Sequence, residues 1–137
     1  MRPEELMIGD WVELTDLGYG VRVSSLGVSD MFWYSDETAC HRVPYEKVAP
    51  LYLGDSILRD NGFVLLEVGD HGAATPPQFR DRFEKWLLKT QWQDVILWYD
   101  RRTEKYNLHD MNGAKLQFVH ELQHALRLAG IDFDIKL

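Results

Sequence analysis

One stretch near the C-terminal end has a clear helical period, and it is the feature that most constrains the fold. Val119, Leu122, Ala125, Leu126 and Ala129 share one face of a backbone that turns about 100° per residue. Gly130 follows at once and is placed to stop the helix in a left-handed turn. The spacing therefore predicts a helix over 118–129, with His120, Gln123, His124 and Arg127 on its other side. Such a helix must lay its apolar stripe against other elements, and most of the remaining chain alternates with period two or carries β-rich runs. The combination predicts an α+β protein.

The same helix spells His120-Glu121-Leu122-Gln123-His124, the H-E-x-x-H pattern of zinc hydrolases. In that chemistry two histidines four residues apart bind the metal from one helical face. The glutamate beside the first serves as general base on a zinc-bound water, and a third protein ligand completes the set. Here His120 and His124 would be the ligands and Glu121 the base. No spacing identifies a third ligand. Thirteen residues follow His124, and Arg127 stands where a related pattern has glycine. Asp132 and Asp134 lie in an alternating run, and Glu104, His109 and Asp110 have no spacing in their favour. The plain reading is an amphipathic helix with a polar face.

Charge and cysteine content narrow the function classes. A formal charge of −7 over 137 residues disfavours general binding to a phosphate backbone. Cys40 is the only cysteine, so no intrachain disulfide forms and a reducing, cytoplasmic compartment is expected. Cys40-His41 reads as part of a strand rather than a reactive thiol site. The N-terminal Met1-Arg2-Pro3-Glu4-Glu5 lacks the apolar core of a signal peptide, and no apolar segment is long enough to span a membrane.

Residues 8–51 read as short strands joined by tight turns. Trp11–Leu14, Val21–Leu26, Met31–Tyr34, Thr38–Val43 and Val48-Ala49 are the strands, and Pro44–Lys47 suits a single helical turn. Five such strands predict an SH3-like small β-barrel over residues 1–53. Trp11, Trp33, Tyr34 and Tyr45 are candidates for an aromatic binding surface, with core packing as the competing explanation.

Residues 54–137 read as a second region, an antiparallel meander packed with the C-terminal helix, with one compact unit including the barrel as the alternative. Gly54–Asn61 is a short helix ended by Gly62, and Phe63–Val68 is an apolar strand. Gly69–Gln78, which holds Asp70 and His71, is read as a loop because Pro76-Pro77 bars regular structure. Phe79, Phe83, Trp86 and Leu87 recur at helical spacing, so pattern alone favours a helix there. Asp94–Tyr99 and Glu104–His109 form a hairpin, Asp110–Gly113 a turn, and Asp132–Leu137 a final strand.

Taken in order, three motifs resemble a family of small uncharacterised proteins of Bacteroidetes, their phages and their conjugative elements. They are Glu5-Leu6-Met7-Ile8-Gly9-Asp10-Trp11-Val12, then Pro50-Leu51-Tyr52-Leu53 with Ile57–Phe63, and Phe118-Val119-His120-Glu121-Leu122-Gln123. The resemblance implies no activity. It implies strand rather than helix around Phe83–Leu88. Similar proteins carry Asn at the place of His124 and often Gln at that of Glu121, which implies that these two do not act as metal ligand and base.

These readings predict a non-enzymatic accessory or adaptor protein of a phage or mobile element, acting on an unidentified protein partner. His120 and Gln123 remain as a polar pair expected to bond nearby backbone. Two alternatives stay open: a zinc-dependent hydrolase built on His120, Glu121 and His124, and nucleic-acid binding through the barrel.

Overall fold

The computed structural model describes residues 1–68, 82–109 and 115–137. The chain divides into two compact units. The first comprises Met1–Tyr52 with Phe118–His124, and the second Leu53–Gln117 with Ala125–Leu137. Among the described residues the architecture is α+β, with antiparallel strand pairs and two α-helices.

The first unit contains six strands: β1 (Trp11–Leu14), β2 (Tyr19–Arg22), β3 (Ser25–Leu26), β4 (Asp30–Tyr34), β5 (Cys40–Pro44) and β6 (Val48–Pro50). They form two three-stranded sheets, ordered β2-β1-β6 and β3-β4-β5. The expected strand Val21–Leu26 is interrupted at Val23-Ser24, where the chain passes between sheets. Val23 donates its N–H to the Asp10 carbonyl at 2.9 Å, and Ser24 donates to the Phe32 carbonyl at 2.8 Å. Alternation sets the core: Val12, Leu14, Val21, Met31 and Trp33 point inward with Val23 and Val48. The expected helical turn before β6 is a 3-10 turn, Tyr45–Lys47.

The second unit opens with α1 (Asp55–Asp60). A four-stranded sheet follows, ordered β10-β9-β8-β7, from β7 (Val64–Val68), β8 (Phe83–Lys89), β9 (Asp94–Asp100) and β10 (Lys105–Leu108). The helical spacing seen around Phe83–Leu87 is overturned, because β8 is a strand paired on both sides. A central strand carries apolar residues on both faces. Trp86 and Leu88 are buried on one side while Phe83 and Leu87 lie half-buried on the other, which erases the alternation a half-exposed strand would show.

The final strand expected over Asp132–Leu137 is also overturned, since that segment is not a strand. Asn61 supplies what a neighbouring strand would: its amide donates to the Lys136 carbonyl at 2.7 Å and accepts the Lys136 N–H at 2.7 Å. The loop expected at Gly69–Gln78, with Asp70 and His71, and the turn expected at Asp110–Gly113 lie outside the described residues.

Helix α2 spans Val119–Leu128. Its end has a Schellman geometry centred on Gly130 at φ 71°. The Gly130 N–H reaches the Arg127 carbonyl at 3.0 Å and the Ile131 N–H reaches that of Leu126 at 2.9 Å. Val119, Leu122, Ala125 and Leu126 are buried, whereas Ala129 is exposed.

Candidate functional site

The polar side of α2 does not face open solvent. His120 and Gln123 are each 7% exposed, and both belong to the first unit, as do Gly9, Asp10 and Trp11. Gln123 holds this bend by two bonds: its Oε1 accepts the Trp11 N–H at 2.9 Å, and its Nε2 donates to the Gly9 carbonyl at 3.0 Å. The side-chain amide thus imitates one rung of a β-ladder. Gly9 adopts φ 93°, a conformation that only glycine takes without strain, and so turns its carbonyl toward the helix.

Between those two backbone groups sits Asp10, with no exposed surface. Its Oδ2 accepts the Met7 N–H at 2.8 Å and lies 2.8 Å from His124 Nε2. Asp10 Oδ1 and His120 Nδ1 are buried without a hydrogen-bond partner. The His120 ring stacks on Phe118, with centroids 5.9 Å apart, and meets His124 edge-on at 5.6 Å. Burial holds the His120 imidazole below its ordinary pKa, against an opposing pull from Asp10.

Glu121, the would-be general base, accepts the Phe118 N–H on its Oε1 at 3.0 Å. That is the reciprocal half of a capping box, with glutamate at the third helical position satisfying the N-cap N–H. Among the described residues no three His, Cys, Asp or Glu side chains gather to hold a metal ion. The motif's carboxylate caps the helix, and its second histidine is bonded to Asp10. Glu104, His109, Asp132 and Asp134 belong to the second unit, and Asp110 lies outside the described residues. His109 Nδ1 accepts the Trp98 indole N–H at 3.4 Å.

Asp10 is the residue that sequence reasoning missed. Its signal is a carboxylate directly after a turn glycine and before a strand, three residues past the Met7 N–H that it accepts.

The aromatic candidates separate. Tyr45 is buried and its hydroxyl donates to the Gly27 carbonyl at 2.6 Å. Trp33 is 7% exposed, stacks on His41 at 4.4 Å and meets Tyr19 edge-on at 6.2 Å. Trp11 is half-buried beneath the Arg22 guanidinium, 4.9 Å from the ring centroid. Tyr34 is exposed, as is Tyr19, which the sequence did not single out. Two hollows share Trp33 as a wall. One, of about 490 Å³, is bounded by Trp11, Tyr19, Arg22, Trp33 and Tyr34. The other, of about 280 Å³, is bounded by Leu14, Leu17, Trp33, His41, Arg42 and Lys47. Cys40 is exposed at the start of β5.

Neither protein-family models, curated proteins nor solved structures give a match to this chain. No helix among the described residues is long and apolar enough to cross a membrane.

Proposed function

We propose that this is a non-enzymatic accessory or adaptor protein that binds a protein partner through the aromatic cleft of its first unit. The carrying observation is the set of Tyr19, Trp33 and Tyr34 around two adjoining hollows, with Tyr19 and Tyr34 about half exposed. Aromatic rings give large contact area at low entropic cost, which is why they recur at binding hot spots. The neighbours β6-β1-β2 and β3-β4-β5, the passage between sheets at Val23-Ser24 and the 3-10 turn before β6 support an SH3-like arrangement as part of this reading. The resemblance of the three motifs supports a role with phages or mobile elements of Bacteroidetes, and the lone cysteine supports a cytoplasmic setting.

The test is site-specific photo-crosslinking in cells, with a benzophenone amino acid at position 34 or, as control, at position 28, where Val28 is fully exposed. Protein adducts specific to position 34, and lost in Tyr19→Ala, are expected. Equal adducts from both positions, or none, would refute the reading.

A further inference from the structure

One end of the four-stranded sheet carries a projecting ring and a hollow side by side. Residues 90–93 join β8 to β9 in a tight turn. The Thr90 N–H donates to the Gln93 carbonyl at 3.0 Å. The Thr90 hydroxyl donates to the same carbonyl at 2.6 Å, and its oxygen accepts the Gln93 N–H at 3.1 Å. These bonds hold the turn in one shape, and its Trp92 is 83% exposed. The next residues border a hollow of about 320 Å³, whose walls include Gln93, Asp94, Val95, Leu108, Ala129 and Ile131. Leu128, just before the Ala129 wall, is also exposed and adds apolar surface beside it. All of these residues belong to the second unit.

We propose that this end is a contact between two copies of the chain, with Trp92 of each copy entering the hollow of the other. An apolar cavity of about 150 Å³ holds a benzene ring, so this hollow has room for an indole. Val95, Leu108, Ala129 and Ile131 supply apolar walls. The Asp94 carboxylate and the Gln93 side-chain oxygen supply acceptors for the indole N–H. Placement favours a second copy over a different partner. Trp92 stands one residue before the Gln93 wall, so a single two-fold axis can seat both rings and make every contact twice. The turn is ordered beforehand, which reduces the entropy lost on association. Two exchanged rings and their rims bury less than the roughly 1,200 Å² of a stable interface, so the dimer is weak, half formed at about 100 μM. A bilayer interface also takes an exposed tryptophan. Here, however, the ring adjoins Asp94 on a chain of formal charge −7, which disfavours an anionic membrane surface.

The experiment uses the full chain labelled with 5-fluorotryptophan, in sedimentation velocity and fluorine NMR from about 5 to about 500 μM, a range that brackets the expected midpoint. Trp92→Phe assigns the Trp92 resonance among those of the five tryptophans. A dimer should grow in with concentration while that resonance shifts. Trp92→Ser removes the ring and Ala129→Arg fills the hollow. Both positions are exposed, so each variant should raise the dimer dissociation constant at least tenfold and leave the unfolding midpoint unchanged.

A monomer throughout the range, with the Trp92 resonance unmoved, would overturn the proposal. A dimer that survives Trp92→Ser would overturn it too, by placing the interface elsewhere. So would a dimer that needs Trp92 yet survives Ala129→Arg, because the ring then sits outside this hollow. The monomer is also offered phosphatidylcholine vesicles, and Trp92-dependent binding to them without a dimer would replace the second copy with a bilayer.

Discussion

Gln123→Ala should destabilise the first unit far more than its place in an H-E-x-x-H pattern suggests. A zinc hydrolase leaves that position free, so substitution there would be nearly silent. The structure instead gives the Gln123 amide two hydrogen bonds, at 2.9 Å from the Trp11 N–H and 3.0 Å to the Gly9 carbonyl. Each is worth about 1 kcal/mol net, and each backbone group left behind costs more where water cannot replace the lost partner. Gly9 and Trp11 are half-buried, so water reaches them in part. The better helix propensity of alanine returns a few tenths of a kcal/mol. The expected loss is about 2–3 kcal/mol, read as a lower urea midpoint at unchanged slope by tryptophan fluorescence. Gln123→Glu sharpens the reasoning. A carboxylate still accepts from Trp11 but opposes the Gly9 carbonyl, so its deficit should shrink as pH falls and the acid protonates into a donor. A loss below about 0.5 kcal/mol for both variants would refute the bridging role.

His120 should make stability depend on pH. Burial lowers its folded pKa, so the unfolded chain binds the proton more readily. Stability is then full above the unfolded value and declines as pH falls from about 6.5 toward the folded pKa, by at most about 1.4 kcal/mol per pH unit. His120→Phe should flatten that part of the urea-midpoint profile, and an unaltered profile would remove His120 as the cause. His124→Asn should cost about 1–3 kcal/mol by weakening the contact to Asp10 Oδ2. Elemental analysis of untagged wild-type protein should show no stoichiometric zinc, and about one zinc per chain, lost in the variant, would revive the hydrolase reading. Gly130→Ala should cost about 1 kcal/mol from its positive φ alone, since nothing lies within 4 Å of the added Cβ. A thermal melt measures it, and an unchanged midpoint would contradict the assigned helix end.

What the sequence disclosed follows physical rules of local origin. The strands of the first unit were legible because Val12 and Leu14, or Met31 and Trp33, alternate with less buried neighbours. The end of α2 was legible because Gly130 stands one step past the apolar stripe. Illegible features depend on contacts between distant residues. β8 looked helical because a central strand buries both faces, and no local pattern separates that from a helix. The last segment looked like a strand by alternation, but Asn61, 75 residues earlier, takes its backbone bonds. The same limit applies to the site. His120, Glu121 and His124 were visible as letters, while Asp10, more than a hundred residues away in sequence, decides what His124 touches.

Three of the four polar letters of H-E-L-Q-H have a structural task of their own, while His120 Nδ1 is buried without a hydrogen-bond partner. Glu121 caps the Phe118 N–H, Gln123 bridges Gly9 and Trp11, and His124 contacts Asp10. These tasks share one purpose. A polar helical face packed over a β-bend must satisfy the backbone groups it covers, and side chains at the first, fourth and fifth positions of the motif point the same way on a helix. Glutamine is the residue whose amide offers donor and acceptor together, which a two-sided backbone contact demands. The pattern that zinc chemistry uses to aim two imidazoles at a metal therefore serves equally to aim an amide and an imidazole at a bend. Gln123, a position the catalytic pattern leaves unspecified, is the one that distinguishes the two uses.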